Sequence, residues 1–260
     1  MLVVEPAELL AIAVETAEAA GRLLLERFRA PARGVERKSS TTDMVSDADR
    51  DAEALIRERL RGVRQYDAIV GEEGGEEGGS SGLRWVIDPL DGTTNFLFGI
   101  PQWGVSIACE DEAGGLAGVV YSPCHDELFT ATRGGGAFLG DVRLAASSKT
   151  DLADALIVTG FSYLPEERAA EAAVVERVLP RVRDIRRPGA ASLDIAWTAA
   201  GRFDGYYEVP THHWDWAAGV VIAREAGAVI SELSAVGASG PGLVVAGPGL
   251  HAELRALVES

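Results

Sequence analysis

Apolar positions recur along the chain in two rhythms, one of about 3.6 residues and one of two, which are the periods of a helix face and a strand face. Leu9, Ile12, Ala13, Ala17, Ala20, Leu23, Leu24 and Phe28 keep the first rhythm between Pro6 and Pro31, so an amphipathic helix is predicted over Pro6 to Phe28. Ala52, Leu55, Ile56 and Leu60 predict a second helix, with Ser46 as N-cap and Asp47 and Asp49 in its first turn. Ala68 to Val70 is a short strand ending at Gly71-Glu72-Glu73, and Gly74 to Gly82 is a flexible loop by its Gly, Glu and Ser content. Trp85 to Ile87 is a buried strand that delivers Asp88 at its end, where Pro89 stops it. Trp103 to Cys109, Leu116 to Tyr121 and Glu127 to Thr132 alternate and predict an antiparallel meander. Arg133 to Phe138 is glycine-rich but lacks G-x-G-x-x-G spacing and a following helix, and reads as a tight turn between strands. Beyond it come a strand (Ala155 to Thr159), a helix (Glu166 to Leu179, closed by Pro180) and a second helix led by Gly189 to Ser192. A strand (Phe203 to Val209), a helix opening at Thr211 to Trp216, two strands (Val229-Ile230 and Leu243 to Ala246) and a last helix (Gly249 to Val258) complete the pattern.

The 260 residues, 47% of them hydrophobic, suit one large domain or two closely joined halves. No apolar run approaches the roughly 18 residues that span a bilayer, so no membrane partner is expected. Met1 to Pro6 lacks a basic segment followed by an apolar one. Cys109 and Cys124 stand apart, outside any C-x-x-C spacing, which suits a reducing compartment, and the expected location is cytoplasmic. His125, His212, His213 and His251 are too dispersed for a zinc cluster. The formal charge of −16 excludes a nucleic-acid partner, since a phosphate backbone requires a basic surface. A small phosphate remains compatible with it if bound cations reverse the local potential.

Chemistry concentrates at element edges, where Asp49, Glu72, Glu73, Asp88, Asp91 and Asp215 lie. In Trp85 to Phe96, two aspartates precede Gly92, which tolerates backbone angles other residues resist, and Thr93-Thr94-Asn95, which suit a helix start. Such a stretch can hold a divalent cation on its carboxylates and a phosphate on free backbone N–H groups. It can equally be a strand, a turn and a capped helix, with its acidic residues exposed because turns are polar. Asp215 has the same alternative as a helix cap, and Lys38 as a solvated lysine. No G-x-S-x-G elbow, Walker loop or H-E-x-x-H helix is present, so metal-assisted attack of water is the chemistry the acidic set favours.

Gly71-Glu72-Glu73, the segment Trp85 to Phe96 with its D-P-x-D-G-T-x-N-F pattern, and His213-Trp214-Asp215-Trp216-Ala217-Ala218-Gly219 resemble, in order and spacing, the signature segments of the inositol monophosphatase family. The likeness runs from the first helix to the C-terminus. It implies an α+β fold, a layered α-β-α-β-α sandwich shared with fructose-1,6-bisphosphatases. Residues 1–260 would be a single catalytic domain of two halves, 1–150 with most metal ligands and 151–260 supplying Asp215 and substrate-side residues. The resemblance also implies a lithium-sensitive, Mg2+-dependent phosphatase that works as a homodimer with two ions per site, and a weaker third touched by Glu72 through water. Glu72, Asp88 and the Leu90 carbonyl would hold the first ion, and Asp88, Asp91 and Asp215 the second. Gly92 and Thr93 would bind phosphate, and Asp49 and Thr93 would orient and deprotonate water. Lys38 and Glu73 match positions behind the metal ligands, and Ala191, Glu208 and His212, with Asp91 and Asp215, match the substrate side. Members specialised for histidinol phosphate or 3′-phosphoadenosine 5′-phosphate often carry lysine where Thr94 stands, so the expected substrate is a small polyol phosphate, inositol 1-phosphate first. Fructose-1,6-bisphosphatase and histidinol-phosphatase activities are the alternatives. From a different class, some members are regulators that bind RNA polymerase or ribosome-associated partners.

Overall fold

The computed structural model describes residues 5–30, 34–37, 44–234 and 241–260, so Lys38 lies outside the described residues. In chain order the elements begin with α1 (Pro6–Phe28), β1 (Glu36–Arg37), β2 (Met44–Val45) and α2 (Asp47–Arg64). They continue with β3 (Ala68–Gly71), β4 (Gly75–Glu77), β5 (Arg84–Asp91), α3 (Thr93–Leu97), β6 (Gly104–Asp111), β7 (Gly114–Ser122), β8 (Glu127–Thr132), β9 (Gly136–Leu139) and β10 (Val142–Arg143). The remainder is β11 (Leu156–Thr159), α4 (Pro165–Val178), β12 (Asp184–Arg186), α5 (Ala191–Ala199), β13 (Gly205–Glu208), α6 (His213–Glu225), β14 (Val229–Leu233), β15 (Gly242–Ala246) and α7 (His251–Glu259).

Eight strands form one sheet in the order β10-β9-β8-β7-β6-β5-β3-β4, and five form another in the order β12-β11-β13-β15-β14. The alternation along each strand sorts side chains onto opposite faces and so separates three cores. Trp85, Ile87, Val105, Ile107, Ala117 and Val119 point toward Leu9, Leu24, Ile56 and Leu60 of α1 and α2. Their neighbours Val86, Ala108, Val120 and Phe129 point the other way, toward Leu193, Ile195, Val221 and Ile222 of α5 and α6, where Val158, Tyr206 and Val245 of the smaller sheet join them. Ile157, Tyr207, Val244 and Ala246 meet Val174, Val178, Leu254 and Val258 of α4 and α7. The result is the expected α+β sandwich, with α5 and α6 as the helical layer between the two sheets.

Three local expectations are corrected. Pro89 does not end its strand: β5 continues to Asp91, pairing Asp88 with Ser106 and Asp91 with Gly104 across a register shift. Proline has no N–H to give to a ladder, so it falls inside the bulge rather than at a stop. Gly74 to Gly82 is not a free loop, because Gly75–Glu77 pairs antiparallel with β3. Glu53 accepts the N–H groups of Glu73 and Gly74, Arg57 donates to the Gly75 carbonyl, and Arg61 pairs with Glu77. The glycine run after Thr132 turns into β9, which with β10 extends the meander by two strands.

The inner helical layer sits tightly on the large sheet. A Cβ added at Gly118 would lie 2.7 Å from the Ala218 carbonyl oxygen, a backbone atom that cannot swing aside. Gly118→Val is therefore expected to lower the free energy of unfolding by about 1–3 kcal/mol, the usual cost of overpacking, as read from urea denaturation. Unchanged stability would mean that α6 has slack over β7.

Candidate active site

The site begins with a helix cap. Ser46 opens α2, its hydroxyl accepting from the Ala48 N–H at 3.2 Å. Asp49 reaches back, its Oδ2 accepting from the Ser46 N–H at 2.8 Å and the Ser46 hydroxyl at 2.6 Å. This reciprocal arrangement satisfies helix-start donors and fixes a fully buried carboxylate. Its other oxygen, Oδ1, lies 2.9 Å from the Thr93 hydroxyl, which is also 3.0 Å from the Leu90 carbonyl. One hydroxyl proton thus has two acceptors, Asp49 and Leu90.

The bulge supplies the next groups. Asp88 Oδ1 accepts the Leu90 N–H at 3.0 Å, bending the chain over itself. Gly92 follows at φ +89, a left-handed angle that a glycine adopts without strain, and serves as the N-cap of the five-residue α3. Two further helix starts converge here. At α5, Asp91 accepts the Ala191 N–H (3.1 Å), the Ser192 N–H (2.8 Å) and the Ser192 hydroxyl. At α6, Asp215 accepts the His212 N–H at 2.7 Å, while the His212 ring is exposed and stacks on Trp214. His213 is held beside it by Glu110 at 3.0 Å.

The electrostatics follow from crowding and burial. Asp88 is pushed well above the ordinary carboxyl range, first by burial, then by Glu72, Asp91 and Asp215, and by a carboxyl–carboxyl hydrogen bond with Glu72. Two carboxyls at that separation need a proton or a cation between them. Asp91 is pushed up to about 6 by burial, which the Ser192 donors partly offset. Asp215, half-exposed by area, is also pushed up, by desolvation first, then by Glu72, Asp91 and Glu208 against the His212 N–H. Glu208 is pushed up to about 7 by burial, with the Tyr206 hydroxyl at 2.9 Å and Arg187 opposing.

Glu72, Asp88, Asp91 and Asp215 are thus mutual electrostatic neighbours, although among the described residues no three His, Cys, Asp or Glu side chains stand ready to hold a metal ion. Asp91 is turned onto the start of α5 and Asp215 onto the start of α6. The donor chemistry itself fits a hard divalent cation, since it consists of carboxylates and the Leu90 carbonyl. Asp49, Gly92 and Thr93 lie together, and Ala191 joins them through Asp91. The Glu73 N–H is held by Glu53 at 2.8 Å. Sequence reasoning missed Ser192, which donates twice to Asp91, and the buried Asp194 two residues further along α5, pushed up by burial and then by Asp91 and Glu208. It read Asn95 as part of a helix start, whereas its amide donates to the Gln102 and Pro188 carbonyls at 2.7 and 2.9 Å. A serine in the first turn of a predicted helix was the available signal for Ser192.

Residues 5–259 match the sequence model of the inositol monophosphatase family. The chain is 49% identical over 187 residues to an inositol-1-monophosphatase of Rhizobium meliloti, covering 71% of this chain and 70% of that one. It is 40% identical over 228 residues to the Nus factor SuhB of Escherichia coli, covering 87% and 85%. Among solved structures, the extragenic suppressor protein suhB of Bartonella henselae superposes with a TM-score of 0.90 at 37% identity, over 97% of this chain and 99% of that one.

The raised Glu208 has a measurable consequence. An unfolded glutamate titrates near 4.3, so between that pH and about 7 the folded chain keeps a proton that the unfolded chain releases. The contribution of Glu208 to stability therefore falls as pH rises through this window and is most unfavourable above it. In chelated buffer, Glu208→Gln is expected to melt higher than the parent at pH 8, with the gap closing toward pH 4.5. A melting difference that is the same at both pH values would overturn this.

Proposed function

The chain belongs to the inositol monophosphatase family, and on that premise we propose that it is a Mg2+-dependent phosphomonoesterase that hydrolyses inositol 1-phosphate to inositol and phosphate. The observation that carries the reading is the crowding of Glu72, Asp88, Asp91 and Asp215 beside the Asp49–Thr93 pair. Capping accounts for the hydrogen bonds of Asp91 and Asp215, but it does not account for two carboxyls facing each other at Asp88 and Glu72.

In this reading Glu72, Asp88 and the Leu90 carbonyl hold one ion, Asp88, Asp91 and Asp215 hold a second, and Glu72 reaches a weaker third through water. Ions held by these residues would supply charge neutralisation at phosphoryl oxygens and a more acidic water. The chain's own part is positional. Ser46 fixes one oxygen of Asp49, so the other is presented with the Thr93 hydroxyl to orient the attacking water and accept its proton. Gly92 and Thr93 offer backbone N–H groups to the phosphate. The family likeness assigns Glu73 and Lys38 roles behind the ligands, and gives Ala191, Glu208 and His212, with Asp91 and Asp215, the substrate side. Residues 1–150 and 151–260 act as two halves of one catalytic domain, since Asp88 and Asp91 come from the first and Asp215 from the second. A cytoplasmic, lithium-sensitive homodimer is the form that the family likeness supports. No described helix is long and apolar enough to cross a membrane.

The 40% identity to a protein named a Nus factor favours a second reading, a regulatory, protein-binding role on the same fold. Fructose-1,6-bisphosphatase and histidinol-phosphatase activities are the enzymatic alternatives. A panel of inositol 1-phosphate, fructose 1,6-bisphosphate, histidinol phosphate and 3′-phosphoadenosine 5′-phosphate, assayed with Mg2+ and with chelator, separates these readings. The expected result is Mg2+-dependent phosphate release, fastest from inositol 1-phosphate. Asp88→Asn should lower kcat by about 10²–10³-fold or more, the scale of losing one preorganised electrostatic group. Release that survives chelation would sink the metal reading, and no release from any of the four would leave the regulatory one.

A further inference from the structure

One face of α2 carries a charged residue at every fourth position: Asp49, Glu53, Arg57 and Arg61. Residues four apart lie one above another on a helix, about 6 Å apart along its axis. Asp49 reaches Thr93. Glu53 and Arg57 are buried as well, yet neither belongs to the water-orienting pair or to the ligand set. Glu53 spends both oxygens on a single turn. Its Oε2 accepts the Glu73 N–H at 2.8 Å, and its Oε1 accepts the Gly74 N–H at 2.7 Å. Arg57 Nε donates to the same Oε1 at 2.7 Å, and Arg57 Nη2 donates to the Gly75 carbonyl at 2.7 Å. A Cβ at Gly71 would lie 2.6 Å from Glu53 Oε1, and one at Gly74 would lie 2.5 Å from it. The carboxylate therefore lies under the chain on both sides of Glu72.

The Glu73 N–H shares one planar peptide unit with the Glu72 Cα and carbonyl, so holding that N–H fixes the backbone from which the Glu72 side chain springs. β3 pairs Gly71 with Ile87 of β5 in parallel register, which brings the next residues, Glu72 and Asp88, side by side. Stability alone gives little reason for a charged pair here, since apolar residues of the same volume do as well as a buried ion pair or better. Glu53 is also unsuited to hold an ion itself, because donors already occupy both of its oxygens. What the pair does is hold a neighbour still, and partners that orient a metal ligand raise its affinity for the ion. Arg57 lies 3.6 Å from Glu77 as well, and Arg61 pairs with Glu77 at the exposed end of the face.

We propose that Glu53 and Arg57 are positioning residues that hold Glu72 ready for a divalent cation, so that one helix, α2, sets where this ligand stands relative to Asp49. The proposal rests on the phosphatase reading above. It is tested by calorimetry with Mn2+, which suits the same carboxylate and carbonyl donors, on the substrate-free parent chain, Glu53→Gln, Gly74→Ala and Arg61→Gln. The Mg2+ dependence of phosphate release from inositol 1-phosphate is measured alongside. In Glu53→Gln, which loses the ion pair and one of the two acceptors, Mn2+ affinity is expected to fall about 10- to 100-fold, the usual scale for partners that orient metal ligands. The Mg2+ needed for half-maximal rate should rise in step, while kcat at saturating Mg2+ changes far less. Gly74→Ala displaces the same carboxylate from an exposed turn without removing a charge, should weaken Mn2+ binding too, and decides the matter if Glu53→Gln does not fold. Arg61→Gln, at the exposed end, should bind Mn2+ like the parent. A purely structural role would lower the melting temperature and leave the Mn2+ affinity of the folded chain unchanged; that result, or an equal loss in Arg61→Gln, overturns the proposal. If the parent binds Mn2+ but releases phosphate from no substrate, the phosphatase reading fails and the Mn2+ affinities still decide this one. If the parent binds no Mn2+, both fail.

Discussion

Everything near the site answers to one constraint, the burial of like charges at one point. Taking a carboxylate out of water costs several kcal/mol unless donors or an opposite charge replace the lost hydration. Glu72 lies close enough to Asp88, Asp91 and Asp215 to raise all three, so the surrounding backbone must supply donors. It does so with helix starts, whose N–H groups have no intrahelical partner and carry the positive end of the helix dipole. Asp49 caps α2, Asp215 caps α6, and Asp91 reaches over from β5 to the start of α5. Three helices from two layers therefore end their N-termini on the same acidic point.

That convergence explains why the inner helical layer is packed so closely. Asp91 and Asp215 can belong to one site only if α5 and α6 are fixed against each other and against β5. A Cβ at Gly118 would meet the backbone of Ala218, and one at Gly219 would meet the Ile195 side chain at 2.9 Å, so the sheet lies directly on the α6 backbone and Ile195 of α5 packs into the gap that Gly219 leaves. Asn95 adds the transverse link, tying the turn after Gly92 to Pro188 just ahead of α5. Stability and site geometry depend on the same contacts.

Much of this is legible in the sequence, in proportion to how local the cause is. Pro6 and Pro31 bracket an apolar rhythm, and α1 spans Pro6–Phe28 as that pattern predicts. Strict alternation likewise places β8 at Glu127–Thr132. The carboxylates are visible because each sits at an element edge within a distinctive stretch. What fails depends on partners far along the chain. Pro89 looks like a stop until β6 shows that the strand resumes at Asp91. Gly74 to Gly82 looks free until Arg57 and Arg61 of α2 tie it down. Ser192 and Asn95 meet their partners across 101 and 93 residues, and no spacing rule spans such gaps. Lys38 falls outside the described residues.

Asp49 shows why the choice between a helix cap and a chemical site was ill posed. A carboxylate has two oxygens, and the structure uses them separately: Oδ2 closes the cap on Ser46, while Oδ1 faces Thr93. Asp91 spends both oxygens on α5, and Asp215 spends Oδ2 on α6, so these residues would be retained by the fold even without chemistry. The acidic set as a whole therefore does not distinguish a catalyst from a regulator built on the same frame. The distinction lies in the contacts that capping leaves over. A structural carboxylate is placed on a donor, yet among the described residues Asp88 offers Oδ1 to a backbone N–H and also meets another carboxyl, Glu72. Placing two acids against each other destabilises the fold unless a proton or a cation joins them. The Asp88–Glu72 contact is thus the place where the fold gives up stability, and chemistry is the reason that fits.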